Sequence, residues 1–385
     1  MVNTTTTVLY QLDLLNKQNI TVNSKLSSGE AIQTGSEDAK LYGDIISTEG
    51  TLLSLEGVKE QLDKTLTYNT TSDSTVSSLK DSMDNIMSEV LTAINDTIDD
   101  DTRSSMSSNV ENIKESIFNM LNEDINGVYL FAGTNSNEAP FIMEENNDIT
   151  YTGSLTNKTT LVDEGLYIDQ GLTGMDIMFY TTNEAIPGET LTFDADERII
   201  DANNNEWSFI DHNFDGEIDY DVLYLDGELI NGSFYGTTNG TLDVELNEDG
   251  KYELINTQTV SLEAKASYLD LLDEIIYALD NKDLEGNTIS SADAKVILSN
   301  SIELMSESYD SINASHAKLG GSIASFDNYS ELNSTKILNY SVFYQEYAAA
   351  DLTEAALEAQ SLEIIYSALY STISKMNSLS LVNYL

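Results

Sequence analysis

Cysteine is absent from the 385 residues, which excludes disulfides, thiol catalysis and cysteine-ligated zinc. Histidine occurs only at His212 and His316. There is no His-Glu-x-x-His and no Gly-x-Ser-x-Gly, so zinc-peptidase and serine-hydrolase readings lack their parts. Bases are scarce as well: 17 Lys and Arg stand against 66 Asp and Glu, a net charge of −49. Such a surface repels phosphates and anionic headgroups, so neither nucleic acid nor a membrane surface is expected as a partner. Carboxylates are too common for any pair to mark an acid–base site, and the chain is not expected to be an enzyme. Proline does not occur before Asn126, which leaves long helices uninterrupted. Long apolar runs are missing too. The most apolar end, Ile364–Leu385, is broken by Ser367, Ser371, Ser374, Lys375, Asn377 and Ser380, so no transmembrane helix is expected. Met1 to Tyr10 has neither a basic region nor an apolar core, so no Sec-type signal peptide is expected.

What is present folds, because a hydrophobic content of 41% is too high for a disordered acidic tail. In the first 126 residues the apolar positions follow helical spacing. Val8, Leu12, Leu15, Val22 and Leu26 alternate by four and three, with Asn19 at the remaining seam position. Leu79, Met83, Ile86 and Val90 form a second stripe, and Ile113, Ile117 and Met120 a third, after a polar break near Asp99–Arg103. From Tyr151 to Thr259 the pattern turns to short apolar runs such as Val222-Leu223-Tyr224-Leu225. Asp226-Gly227, Asn231-Gly232, Asn239-Gly240 and Asp249-Gly250 punctuate them, the signature of β-hairpins. Residues 141–260 hold 26 acids and three bases, close to half of the net charge. Beyond Ser261 the helical period returns. Ile302, Met305, Tyr309, Ile312, His316, Leu319, Ile323 and Phe326 hold a heptad seam, and Leu362, Tyr366, Leu369, Ile373 and Met376 hold another. A narrow sustained stripe needs a partner helix, so the two ends are expected to pair around the β insert.

The extreme ends differ from the rest in charge. Residues 1–24 contain only Asp13 and Lys17, spaced to pair on a helix, and residues 364–385 contain only Lys375. Stripes flanked by Ser, Thr and Asn suit helices touched on several sides by other subunits, where unpaired charge is costly.

Two local features remain. His316 sits in a seam, where a polar residue can fix helix register, and Gly320-Gly321 follows it, implying close helix approach or a local bend. Asp211, Asn213 and Asp215 alternate ahead of Gly216, with Glu217 and Asp219 beyond. That is the first part of a calcium-binding EF-hand-type loop, although Val222 stands where its twelfth-position acid belongs. Asp211, Asn213, Asp215, Glu217 and Asp219 are therefore candidate calcium ligands. No other cofactor is expected.

Asn126-Gly127-Val128-Tyr129-Leu130-Phe131-Ala132-Gly133-Thr134 followed by Pro140-Phe141, Lys25-Leu26-Ser27-Ser28-Gly29 with Ser36-Glu37-Asp38-Ala39, and the closing Lys375-Met376-Asn377-Ser378-Leu379-Ser380-Leu381-Val382-Asn383-Tyr384-Leu385 resemble segments of hook-associated protein 3 in the flagellin superfamily. The resemblance covers residues 1–141 and 260–385. It implies an α+β fold in layers. Residues 1–45 and 345–385 would form an inner terminal coiled-coil layer, 46–140 and 260–344 a helical bundle domain, and 141–259 a β-rich acidic outer domain. It also implies an extracellular structural protein that adapts the flagellar hook to the filament, exported by the type III route without a cleaved signal. Expected partners are flagellin, the other hook–filament junction protein, further copies in a ring-like layer and a cytoplasmic export chaperone. A minor flagellin and a secreted calcium-binding adhesin with a helical stalk are the alternatives.

Overall fold

The computed structural model describes residues 2–144, 148–210, 218–225, 229–230, 233–234 and 240–382. Helices α1 (Val2–Ser28), α2 (Ala39–Ala93) and α3 (Asp100–Leu121) come first. Three antiparallel pairs follow: β1 (Asp124–Ile125) with β2 (Val128–Tyr129), β3 (Phe141–Met143) with β4 (Ile149–Tyr151), and β5 (Lys158–Asp163) with β6 (Leu166–Gln170). A short helix α4 (Gly174–Met178) leads into β7 (Phe179–Ala185), β8 (Thr190–Phe193), β9 (Arg198–Asp201), β10 (Glu206–Ile210) and β11 (Asp219–Leu225). Next are β12 (Leu229–Ile230), β13 (Ser233–Phe234), β14 (Thr241–Leu246), β15 (Tyr252–Ile255) and β16 (Leu262–Ser267). Helices α5 (Tyr268–Leu279), α6 (Ser291–Ala348) and α7 (Leu352–Val382) complete the chain. The α+β order of helical ends around a strand-rich middle is the expected one.

Side-chain caps set the helix starts. Asp38 accepts from Lys40 N and Leu41 N, Asp99 from Thr102 N, and Asp351 from Thr353 N and Glu354 N. Ser290 and Asp293 form a reciprocal pair at the start of α6. The polar break near Asp99 is therefore the connection between α2 and α3, held by a cap.

The chain divides into two compact units, residues 1–60 with 329–385, and residues 61–328. In the second unit α2, α3, α5 and α6 share one apolar core with α4 and the small hairpins. The anticipated stripes line it: Leu79, Met83, Ile86 and Val90 from α2, Ile117 from α3, Met305, Ile312 and Leu319 from α6. His316 meets Asp73 at 2.9 Å across the α2–α6 seam, so this polar seam position is satisfied and pins register. Gly320 and Gly321 lie within the continuous α6, and a Cβ on either would touch nothing within 4 Å. Close helix approach is not the reason for them.

The motif at 126–134 has a physical reading in this unit. Asn126 and Gly127 both take positive φ (55° and 79°), as a two-residue hairpin turn between β1 and β2 requires. Leu130, Phe131 and Ala132 are buried, and the Tyr68 hydroxyl donates to Tyr129 O. Gly133 has φ +60°, and a Cβ there would lie 2.6 Å from Ser154 O and 2.7 Å from Thr156 O. Neither carbonyl is a flexible chain end. Gly133→Ala is expected to cost about 2 kcal/mol through clash and backbone strain, read as a lower denaturant midpoint at unchanged slope.

An eight-stranded antiparallel sheet, in the order β7-β16-β9-β10-β11-β14-β15-β8, builds a separate core. Alternate residues point into it, among them Leu191 and Phe193, Leu242 and Val244, Leu262 and Ala264. The two edge strands are neighbours in sequence, and Asn183 Nδ2 on β7 donates to Thr192 O on β8 at 3.0 Å. The sheet thus curls almost into a barrel, which protects its edges. Buried Asn256 fastens that seam by donating to Ala185 O and Val260 O. The Asp249-Gly250 turn joins β14 to β15 with Gly250 at φ +81°. The other three Asx-Gly signals fall wholly or partly outside the described residues.

Candidate assembly surface

Helices α1 and α7 form the surface on which the functional question turns. Gly29, at φ +76°, ends α1 in the left-handed cap that glycine favours. The chain there pairs with the α6–α7 connection: Ala31 N donates to Ala348 O and Ala350 N to Gly29 O, each at 2.8 Å. From this fixed point the two helices run antiparallel, and the Tyr366 hydroxyl donates to Asn16 Oδ1 further along.

The facing seam is the one the spacing marks. Val8, Leu12, Leu15, Asn19 and Val22 are the covered positions of that stripe on α1, and Leu362, Tyr366, Leu369 and Ile373 on α7. Leu26, at the end of the predicted stripe, is 37% exposed. The seam is thin: Val22, Ala355 and Leu362 are the described α1 and α7 side chains that are fully buried. The outward faces are not polar in compensation. Leu9, Tyr10, Leu14 and Ile20 stand exposed on α1, and Leu357, Ile364, Ile365 and Tyr370 on α7, with Ile364 at 70% exposure. Asp13 and Lys17, the only charges in the first 24 residues, pair with each other at 3.0 Å. These outward residues lie off the heptad seam, so periodicity did not single them out; lack of charge marks the stretches that hold most of them, while Leu357 lies between Glu354 and Glu358.

Among the described residues, no three His, Asp or Glu side chains converge as metal ligands, and no helix is long and apolar enough to cross a membrane. Of the candidate calcium residues, Asp219 opens β11 opposite Ile210, while Asp211, Asn213, Asp215 and Glu217 lie outside the described residues, as does His212. Sequence reasoning missed the buried cations. Arg103 is almost wholly buried on α3, where it donates to Ser291 Oγ at 2.6 Å, to Ile98 O and to Asp100. Lys114 is likewise buried, against Asp273 of α5. Both bases sit in polar-looking helical sequence, and nothing local distinguishes them from solvated ones.

Residues 3–136 match the family described as the bacterial flagellin N-terminal helical region. More particularly, the fold is that of the flagellar hook-associated proteins. The FlgL structure from Xanthomonas campestris superposes with a TM-score of 0.51 at 16% identity, covering 77% of this chain and 99% of that one. Hook-associated protein 3 from Legionella pneumophila gives 0.51 at 13% identity, covering 78% and 98%. A search of curated protein sequences found no match.

Proposed function

We propose that this chain is a structural, non-enzymatic component of the bacterial flagellum that adapts the hook to the filament. The observation that carries the reading is the apolar outer face of the α1–α7 pair, nearly uncharged over residues 1–24 and 364–385, in a chain of net charge −49. Such a face on a strongly self-repelling protein is stable only when neighbouring subunits cover it. Flagellin, the other junction protein and further copies in a ring-like layer are the partners this surface fits. A cytoplasmic export chaperone would shield it before assembly, and the assembled protein would be extracellular. The insert, with its own closed core and acidic exterior, needs no partner to fold. Deletion of the gene should leave hooks without filaments and release flagellin into the medium; filaments that remain attached would contradict the proposal.

The Asp211–Asp219 loop enters this reading as a calcium loop of the β domain. The expected result is a calcium-dependent rise in melting temperature, abolished by Asp215→Ala, because a ligand selective for the folded state stabilises it. Titration calorimetry of the wild type at millimolar calcium checks it, and absence of heat would remove the loop from the account.

A further inference from the structure

Within the second unit, a cavity of about 850 Å³ lies between the sheet and helix α5. One wall is the β8–β9 turn with Asp194, Asp196 and Glu197; the other is the first half of α5 with Asp270, Asp273 and Glu274. Asp148, ahead of β4, also faces it. The bases nearby are already committed. Arg198 holds Glu206 through two contacts of 2.6 Å and lies over the rings of Tyr151 and Phe179. Lys251 holds Asp194 at 2.8 Å, and Lys114 holds Asp273. Among the described residues, no base bonds Asp196, Asp270 or Glu274.

The two walls therefore meet as like charges. The first-turn position of Asp270 on α5 favours its ionised form, and so does Lys114. Crowding by protein together with Asp273, Asp196 and Asp148 outweighs them and pushes the Asp270 carboxyl up to about 6. Burial raises Glu274, with Asp196 adding to it, and raises Glu197, with Asp194 and Asp196 adding. Burial raises Asp273 too, against the pull of Lys114.

We propose that this cleft is a proton-operated clasp: at neutral pH the carboxylates of the β8–β9 turn and of α5 hold its walls apart, and in mildly acidic medium carboxyl–carboxylate hydrogen bonds draw them together. The sign follows from linkage. A carboxyl that titrates higher in the folded state than in the unfolded one destabilises the fold when ionised. The penalty is fully present above about pH 6 and is relieved progressively below it, down to the ordinary carboxylate range. Asp270 is open to solvent at its tip, so screening reduces its share and the effect belongs to the cluster.

The test compares the full-length wild type with Asp270→Asn, Glu274→Gln and their double variant at pH 7.5 and 5.5. Glu303→Gln, an exposed site on α6 that does not itself line the cavity, controls for loss of one negative charge anywhere. The double variant is expected to melt about 2–4 °C above wild type at pH 7.5, and the gap should narrow at pH 5.5. Hydrogen exchange, corrected for intrinsic rates, is expected to slow about tenfold in wild type at residues 194–198 between the two pH values, and not in the double variant. An equal gain at both pH values, the same gain in Glu303→Gln, or exchange that does not respond to pH would overturn the clasp.

Discussion

Ile364→Asp is expected to leave the melting temperature of the purified protein within about 1 °C of wild type and to abolish filament attachment. In the free chain Ile364 is 70% exposed, so the substitution removes almost no packing, and surface changes of this kind usually stay within about 0.5 kcal/mol. In an assembly whose inner layer covers that face, the same aspartate becomes a buried charge without a partner, which costs several kcal/mol per copy. Leu369→Ala gives a graded version. Leu369 lies in the α1–α7 seam, but two helices meeting along so thin an apolar stripe are marginal without further partners. The main unfolding transition should shift little, while attachment weakens. Thermal melting beside a motility and filament-shedding assay checks both variants. Attached filaments in Ile364→Asp cells would show that this face stays in solvent.

The second large effect is expected inside the folded core. Lys114→Ala should lower stability by about 3 kcal/mol at pH 7.5, at the lower end for breaking a buried ion pair because Asp273 remains a quarter exposed. At roughly 2–4 °C per kcal/mol for a unit of this size, the midpoint should fall by about 6–12 °C. The Asp273 carboxylate would then face Asp270 and Glu274 without its counter-ion, and its affinity for protons would rise further. Part of the loss should therefore return at pH 5.5. Replacing both partners, as in Lys114→Met with Asp273→Leu, should restore most of the stability, because no uncompensated charge is left. Denaturant unfolding at the two pH values measures each step, and a single variant as stable as wild type would contradict the assignment.

Much of this organisation is legible in the sequence because it is periodic. The seam from Ile302 to Phe326 is covered in the order its spacing implies, and Val8, Leu12, Leu15 and Val22 face α7 as their 4-3 alternation requires. Asp249-Gly250 announces its turn because only a few residues accept the required φ. Other features are not periodic and stayed hidden. The closure of the sheet depends on Asn256, which reaches Ala185 O of β7 from 71 residues along the chain, a contact that no short window of sequence contains. The buried state of Arg103 and Lys114 depends on helices far away in the chain. The acidic cavity could not be told from the general surplus of carboxylates, since its members come from three separate segments. Charge depletion at the ends, by contrast, needed no structure to be seen. The structure adds which residues point outward, and hence which substitutions separate folding from assembly.

The central claim concerns position, and labelling the protein on isolated hook–filament complexes tests it most directly. A small epitope tag inserted in the β14–β15 turn at residues 248–250, which is exposed, would be detected by gold-conjugated antibody in the electron microscope. The account predicts one narrow band of gold where the hook ends and the filament begins. Gold distributed along the filament would identify a minor flagellin instead, and hooks and filaments without gold would contradict a place in the flagellum altogether.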